Sequence, residues 1–310
     1  MRLASLTIDY LTYKRALGHR LQSDEAILRS FCRSMRGIAL ADIDPPRVRA
    51  FLHRGRICQE TIARKHRALG GLYRYIQGRH GPVLPSLPKL ARRQESNFVP
   101  YIYSRTELRK LLQATVVICA RPKMGLDAPT MRTALLVLYG AGLRLGELIA
   151  LNDGDVDLKR GLLTIRETKF YKSRLVPLTT ELIPILLAYR KRAVSEQTDR
   201  PFFCRRSGER ITAHIVERTF RMACALAGVT RDAKARHQPR LHDLRHTAAV
   251  HRLIHWYRSG ADLQYLLPRL ATYLGHKSLV STQRYLTLTP ELLREASSRF
   301  ERYVRENSHE

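Results

Sequence analysis

Two arginines in short clusters are the first candidates for chemistry. Arg144 follows the glycine-bounded turn Gly140-Ala141-Gly142, and Arg245 lies three residues after His242. A planar guanidinium donates two parallel hydrogen bonds to phosphate oxygens, and lysine does not reproduce that geometry. Because the transition state of phosphodiester attack gathers negative charge, two such groups would stabilise it. We therefore predict that both arginines bind one phosphate.

A nucleophile for that phosphate is offered by Tyr285, nine residues after His276. A free phenol has a pKa of about 10, so it needs a base and a cationic pocket to attack at neutral pH. The chain holds 14 tyrosines, so an arbitrary one is usually a core residue. The nearest rival, Tyr273, precedes the Leu274-Gly275-His276 turn, and we expect it to pack in the core.

The histidines near Arg245 have two interpretations. His242 and Arg245 stand three residues apart, so on a helix they share a face and reach one phosphate. His246 lies four residues after His242, which also permits a metal pair. The glutamate of an HExxH motif is absent, and no third ligand is evident at a fitting spacing. A buried or structural role is therefore favoured for His246.

Net charge indicates the partner. The 310 residues include Lys+Arg 55 against Asp+Glu 27, a formal net charge of +28. Neutralising phosphates releases counterions and gives affinity that does not depend on sequence, so we expect a polyanion as partner. A solvated basic surface or a ribosome-associated protein is the plainer alternative. The length allows one or two domains.

Neither a membrane span nor a disulfide framework is expected. No apolar stretch approaches the roughly 18–20 residues that a span requires, and Asp9 interrupts the N-terminal stretch that a signal peptide would need. The five cysteines are scattered, and none forms a CxxC pair. This pattern is typical of a reduced, cytoplasmic protein.

The elements that must position these residues fall into two segments. The pattern of the first segment predicts four short basic helices. One covers Leu3–Ala16, one begins after a cap at Ser23 or Asp24, one follows Pro45-Pro46, and one covers about Glu60–Gln77. A proline-rich, then polar stretch follows. The next helix begins at the capping-box sequence Ser104-Arg105-Thr106-Glu107, so the domain boundary is predicted between about 88 and 104.

The second segment has a mixed pattern. Met131–Gly140 predicts a buried helix, and a further helix is predicted up to Leu151. Leu162–Arg166 and Ser173–Leu178 predict strands joined by a basic hairpin tip, Thr168–Lys172. From Thr180 onward the pattern predicts helix almost to the end of the chain.

Four clusters in this order resemble the tyrosine recombinase (phage integrase) family of site-specific recombinases, of the XerC/XerD type. They are Gly140–Leu148, the Lys169–Leu178 hairpin, Leu241–Ala248, and Leu274–Tyr285. The resemblance covers about residues 130–290. It implies a mainly α fold with a small antiparallel β-sheet, arranged as a two-domain DNA clamp. Residues 1–95 would be the helical, SAM-like core-binding domain, and residues 96–310 the catalytic domain with a C-terminal helix.

The resemblance also implies the reaction. Tyr285 would attack the scissile phosphate, leaving a 3′-phosphotyrosyl bond and a free 5′-hydroxyl, with no metal, ATP or other cofactor. His242 would help to take the tyrosine proton, and His276 would hydrogen-bond the phosphate. Lys169 would protonate the leaving 5′-oxygen, with Lys172 as the alternative. Glu147 matches the acidic position of the family and is expected to orient Arg144.

Partners follow from the same resemblance: double-stranded DNA, four protomers around two duplexes, and possible sibling recombinases, at the bacterial nucleoid. A C-terminal helix starting at Thr289-Pro290 would dock either on a neighbouring subunit or on its own domain. The stretch between Arg245 and Leu274 is longer than in compact members and resembles the usual helix pair with added residues. The alternatives are a non-catalytic DNA-binding accessory protein and a type IB topoisomerase.

Overall fold

The computed structural model describes residues 2–19, 21–55, 57–81, 84–90, 99–121, 124–166, 173–192, 199–232, 235, 237–276, 278, 282–283, 285, 294, 297–298, 301 and 304–305. These residues divide into two units, one up to Leu90 and the other from Val99 onward. Lys169, Lys172 and the predicted helix start at Thr289 lie outside the described residues.

The first unit is a helical bundle. Its helices are α1 (Leu3–Ala16), α2 (Gln22–Ser34), α3 (Pro45–His53) and α4 (Gln59–His80). The Asp44 carboxylate accepts a hydrogen bond from the Arg47 amide at 2.8 Å, and the prolines at the start of α3 have no N–H to leave unpaired. The core is an apolar cluster centred on Leu28, Phe31, Val48, Leu69, Leu72 and Ile76.

The second unit opens with helices that start at strong caps. In α5 (Arg105–Cys119) the predicted capping box forms, because Ser104 and Glu107 each bond the other's backbone amide. Asp127 caps α6 (Ala128–Gly140), accepting from the Thr130 amide at 2.9 Å. The short α7 (Leu145–Ala150) follows directly after the glycine turn.

A small antiparallel sheet follows, in the order β1-β2-β3: β1 (Val156–Asp157), β2 (Leu162–Ile165) and β3 (Arg174–Pro177). Leu163 pairs with Val176, and both side chains are buried, so one face of the sheet covers the core. The predicted fold class, mainly α with a small antiparallel sheet, is confirmed.

The prediction of nearly continuous helix after Thr180 is wrong in part. After α8 (Leu182–Arg190) the described chain from 199 to 212 is irregular, with isolated bridges at Asn152↔Pro201 and Cys204↔Arg210. Phe202 and Phe203 are both buried there although they are adjacent in the sequence. An amphipathic helix buries only one face, so a chain that crosses the core accommodates this pair better. Helix resumes at α9 (Ala213–Leu226).

The last described helices are α10 (Asp243–Arg258) and α11 (Leu263–Leu274), the predicted helix pair. Asp262 caps α11 by accepting from the Gln264 and Tyr265 amides, and Pro268 lies inside it. Leu253, Leu270 and Tyr285 belong to one apolar cluster that α10 and α11 share. Within the described part of the chain, no helix has the combined length and apolar character that crossing a bilayer demands.

Candidate active site

The turn between α6 and α7 brings the backbone close to the end of α11. Gly142 adopts φ +60°, and a Cβ there would lie 2.8 Å from Leu274 Cδ2, so only glycine fits without strain. The Gly142 carbonyl accepts a hydrogen bond from Arg245 Nη1 at 2.5 Å. The glycine predicted to allow a close approach therefore positions the second arginine.

Arg144 follows this turn at the N-terminus of α7. Its Nη1 donates to Glu147 Oε1 at 2.7 Å, and its Nη2 donates to the Gly275 carbonyl at 3.0 Å. Glu147 Oε2 also accepts from the Arg144 amide at 3.0 Å. The Arg144 side chain keeps 40% of its surface exposed, so it is accessible to a ligand while its orientation is fixed.

Arg174, on β3, completes the arrangement around Glu147. Its Nη1 and Nη2 donate to the two oxygens of Glu147 at 3.0 and 2.9 Å, and its Nε donates to the Tyr273 carbonyl at 3.2 Å. Burial alone would raise the pKa of Glu147, but hydrogen bonds and charge from Arg174 and Arg144 outweigh it and lower the pKa to about 2. Glu147 is therefore an anion that orients two guanidiniums.

The role of Arg174 was not predicted, although its signal was present. Arg174 and Val176 are two residues apart on a strand and so point to the same face. Val176 is fully buried, and the Arg174 side chain is 13% exposed. A charged residue on the buried face of a strand needs a partner of opposite charge, and Glu147 is that partner.

Arg245, in the first turn of α10, is 2% exposed. Its Nη2 donates to the Leu274 carbonyl, and the Gly142 carbonyl holds Nη1. Burial, and then the nearby charge of Arg144, lowers the pKa of Arg245 to about 10, so the group stays positive at neutral pH. Backbone carbonyls from two separate turns therefore fix the plane of a buried cation.

Three imidazoles lie close to this arginine. His242 immediately precedes α10, His246 lies one turn further along it, and their rings meet edge to face with centroids 4.8 Å apart. His276 follows α11, and its Nδ1 lies 2.8 Å from Thr282 Oγ1. Burial and then the charge of Arg245 lower the pKa of His242 and that of His276, the latter to about 4. The neutral form of each ring is favoured at pH 7.

Tyr285 lies among these groups and is 4% exposed. Its hydroxyl is 3.0 Å from His246 Nδ1, and its ring centroid is 5.4 Å from that of His246 and 6.0 Å from that of His276. Burial raises the pKa of Tyr285, while the charges of Arg245 and Arg144 lower it. The phenol is therefore protonated at neutral pH, and two guanidiniums lie close enough to stabilise its anion.

Five of the six predicted site residues meet in this one place, namely Arg144, His242, Arg245, His276 and Tyr285. The sixth, Lys169, and its alternative Lys172 lie outside the described residues. The rival tyrosine, Tyr273, packs against the core, and its hydroxyl lies 3.4 Å from the carbonyls of Gly140 and Pro177.

His246 is half-buried, and its ring does more than the buried or structural role expected for it. Its Nδ1 meets the hydroxyl of the candidate nucleophile, a contact between residues 39 apart that the local spacing could not reveal.

In the described part of the chain, no three His, Cys, Asp or Glu side chains are grouped so that they could hold a metal ion.

Comparison with known proteins shows the family to which the chain belongs. The sequence profile of the Phage integrase family matches residues 106–291. The putative integrase/recombinase y4rB of Sinorhizobium fredii (strain NBRC 101917 / NGR234) is 35% identical over 309 residues, covering 95% of each chain. Tyrosine recombinase XerC of Syntrophus aciditrophicus (strain SB) is 27% identical over 262 residues, 81% of this chain and 78% of that protein.

Two solved structures share the fold. The XerH site-specific recombinase in a post-cleavage complex with palindromic difH aligns with a TM-score of 0.63 and 23% identity, over 91% of this chain and 80% of that one. The Tn1549 transposon integrase with transposon right end DNA aligns with a TM-score of 0.65 and 16% identity, over 97% and 100%. Together with the profile match and the relative that aligns along nearly the whole length, this shows that the chain belongs to the phage integrase family of tyrosine recombinases.

Proposed function

We propose that this tyrosine recombinase cleaves and rejoins duplex DNA at specific sites, with Tyr285 as the nucleophile. The observation that carries the proposal is the place of the buried Tyr285 phenol in the cluster that contains Arg144, Arg245 and His276, with its ring centroid 6.0 Å from that of His276. A phenol in a purely structural role does not need two cations that favour its anion. A phenol that attacks a phosphodiester needs them, because it loses its proton as it reacts.

The two guanidiniums suit the non-bridging oxygens of the phosphate. Glu147 orients Arg144, and the carbonyls of Gly142 and Leu274 orient Arg245, so neither has to reorganise as charge develops. Neutral imidazoles at His242 and His276 can add hydrogen bonds to the same phosphate. Arg245 and Tyr285 are 2% and 4% exposed, so the proposal requires that both become accessible when DNA binds.

The reaction conserves the energy of the phosphodiester. The Tyr285 oxygen bonds to phosphorus, the bond from phosphorus to the 5′-oxygen breaks, and a 3′-phosphotyrosyl link with a free 5′-hydroxyl results. A 5′-hydroxyl, from the same strand or from a second duplex, then attacks that link and releases the tyrosine. Lys169 is our candidate for the acid that protonates the leaving 5′-oxygen, with Lys172 as the alternative.

The first unit supplies a second cationic surface that fits DNA. A groove of about 490 Å³ between α1 and α4 is lined by four basic and three aromatic side chains: Lys14, Arg67, Arg74, Arg79, Tyr10, Tyr13 and Tyr75. The guanidinium of Arg79 lies 5.0 Å from the Tyr75 ring centroid. Basic side chains ordered by aromatic rings suit a sugar–phosphate backbone, so we assign residues 1–95 as the core-binding domain and 96–310 as the catalytic domain.

Exchange between two duplexes requires more than one active site. We therefore include in the proposal four protomers around two DNA duplexes, as the resemblance to the family implies. A type IB topoisomerase would use the same chemistry, but it would relax supercoiled DNA that lacks a specific site.

A nicked suicide duplex tests the proposal. Duplexes tiled across the DNA that flanks the gene are each nicked near the trial cleavage position, so that the cut fragment diffuses away and the covalent complex accumulates. We expect a denaturation-resistant protein–DNA adduct with the wild type and none with Tyr285→Phe. Tyr273→Phe is the matched control, because its hydroxyl touches only backbone carbonyls in the contacts described above.

Three results would contradict the proposal. An adduct that persists in Tyr285→Phe would assign the nucleophile elsewhere. A wild type that binds its duplex tightly yet forms no adduct would be a non-catalytic DNA-binding protein. Relaxation of plasmids with no site dependence would identify a topoisomerase.

A further inference from the structure

The hydroxyl of Tyr285 faces an imidazole that the family resemblance assigns no role. His246 Nδ1 lies 3.0 Å from that oxygen, where the Tyr285 side chain is buried and that of His246 is half-buried. The other imidazole near the phenol ring, His276, has its Nδ1 directed to Thr282 Oγ1 at 2.8 Å. His246 therefore touches the oxygen that would react.

We propose that His246 Nδ1 is the first acceptor of the proton that Tyr285 loses as it attacks the phosphate. The proposal rests on the proposed function, since it takes Tyr285 to be the nucleophile. It replaces His242, which the resemblance implies for that step, and leaves His242 to bind the phosphate.

The protonation states of the two groups favour a hydrogen bond from the phenol to the ring. Burial, followed by the charges around the ring, lowers the pKa of His246 to about 3, so the ring is neutral and one of its nitrogens carries a lone pair. Burial raises the pKa of Tyr285, so its oxygen carries a proton at neutral pH. A protonated phenol facing a neutral imidazole donates to a Nδ1 lone pair when the imidazole proton is on Nε2.

The surroundings of His246 explain why the base would act only with DNA in place. The groups that face it are Arg245 on α10, His242 and Arg240 before that helix, His276 after α11, and Tyr285. The charges among them disfavour an imidazolium. A phosphate anion held by Arg144 and Arg245 would offset those charges and raise the proton affinity of His246.

The proton and the bonds balance in both directions. During cleavage the phenol oxygen bonds to phosphorus, its proton passes to Nδ1, and the 5′-oxygen leaves and takes a proton from the general acid. During rejoining the 5′-oxygen bonds to phosphorus and its proton passes back to the group that acted as the general acid. The bond from phosphorus to the phenol oxygen breaks, and the imidazolium returns its proton to that oxygen. The ring ends each cycle neutral.

A hydrogen bond that only positions the phenol must be separated from one that removes its proton. In His246→Asn the side-chain amide places a polar atom close to the position of Nδ1, so the contact is kept while the basicity is lost. A fluorinated tyrosine at position 285 has a more acidic phenol and depends less on a base. Combining the two substitutions isolates proton transfer.

We would measure single-turnover cleavage of the suicide duplex with saturating protein. His246→Asn should cleave about 100-fold more slowly, the lower end of the range for general-base loss. Fluorotyrosine at position 285 should return the cleavage rate of His246→Asn to at least a tenth of the wild-type rate. It should not rescue His242→Asn, where the missing group acts on the phosphate. His255→Asn, an exposed histidine on the same helix, should cleave normally.

The pH profile gives a second readout. In His246→Asn the phenol must lose its proton to solvent, so the logarithm of the cleavage rate should rise with pH at a slope near one. The wild-type rate should rise less steeply. If His246→Asn fails to bind the duplex, His246→Gln is measured in the same way.

The outcomes separate the two proposals. Wild-type or faster cleavage by His246→Asn, or a slow rate that fluorotyrosine does not restore, would overturn the assignment of His246 and leave Tyr285 as nucleophile. An adduct in Tyr285→Phe would instead overturn the proposed function itself.

Discussion

Glu147 and Arg174 form a two-point ion pair between the first turn of α7 and strand β3, with Nη1 to Oε1 at 3.0 Å and Nη2 to Oε2 at 2.9 Å. The same carboxylate holds Arg144 Nη1 at 2.7 Å. One buried acid therefore links the small sheet to the arginine that we expect to bind the scissile phosphate.

Glu147→Gln should destabilise the catalytic unit and slow cleavage, because the amide cannot accept from both guanidiniums. A pKa lowered from 4.5 to about 2 corresponds to about 3 kcal/mol of folding free energy. Because the folded pKa is depressed, this contribution is complete well above pH 4.5 and is lost as pH falls from 4.5 toward 2. Urea unfolding at pH 7 and pH 3 measures it, and a wild-type-to-Gln difference that is the same at both pH values would contradict it.

Arg144→Lys should bind DNA with near wild-type affinity and lose cleavage by about 100-fold or more. The charge survives, but the planar fork that meets two phosphate oxygens does not. Adduct yield and fluorescence anisotropy on one suicide duplex measure the two properties. Arg160→Lys, at a side chain that is 81% exposed, is the control for loss of an arginine alone. Near-normal cleavage by Arg144→Lys would remove the residue from the active site.

Lys169 and Lys172 can be distinguished by changing the leaving group. Replacing the bridging 5′-oxygen at the cleavage site with sulfur gives a group that leaves without a proton, so it restores cleavage only to variants that lack the general acid. We expect Lys169→Ala to be slow on the oxygen substrate and rescued on the sulfur substrate. Rescue of Lys172→Ala instead would transfer the role to Lys172. Rescue of neither would remove both.

Gly275→Ala should disturb three arginines at once. Gly275 adopts φ +66°, and a Cβ there would lie 3.0 Å from Cζ and Nη1 of Arg174, while its carbonyl accepts from Arg144. The neighbouring Leu274 carbonyl holds Arg245. We expect a loss of stability of about 1–3 kcal/mol together with slower cleavage.

Gly146→Ala is the matched control for that variant. Gly146 is exposed in α7, and a Cβ there meets nothing within 4 Å. Since alanine favours helix, the free energy of unfolding of this variant, measured by thermal denaturation, should rise by up to about 1 kcal/mol. An equal loss of stability and of cleavage rate in both variants would show that the left-handed turn at Gly275 has no special importance.

Local signals predicted much of the catalytic unit. The capping box at Ser104 and the periodicity of Met131–Gly140 each mark elements that the structure contains, because their causes lie within a few residues. The clusters around Arg144, Arg245 and Tyr285 predicted which residues would meet.

The contacts that orient those groups were not predictable in the same way. Arg174 pairs with Glu147, which is 27 residues away in the sequence, and His246 contacts Tyr285, which is 39 residues away. The sequence pattern predicts helix at Phe202 and Phe203, whereas the chain there is buried and irregular, because an apolar run alone does not distinguish a helix from a segment that crosses a core. In each case the deciding partner is supplied by tertiary packing.

In the proposed reaction the phenol oxygen of Tyr285 becomes covalently bound to DNA. The attachment point can be located by digesting the wild-type adduct with a protease and a nuclease and finding the remaining nucleotide by mass spectrometry. We expect a nucleotide joined through its 3′-phosphate to Tyr285 in the peptide that contains this residue. A nucleotide on any other side chain, or attachment through a 5′-phosphate, would contradict it.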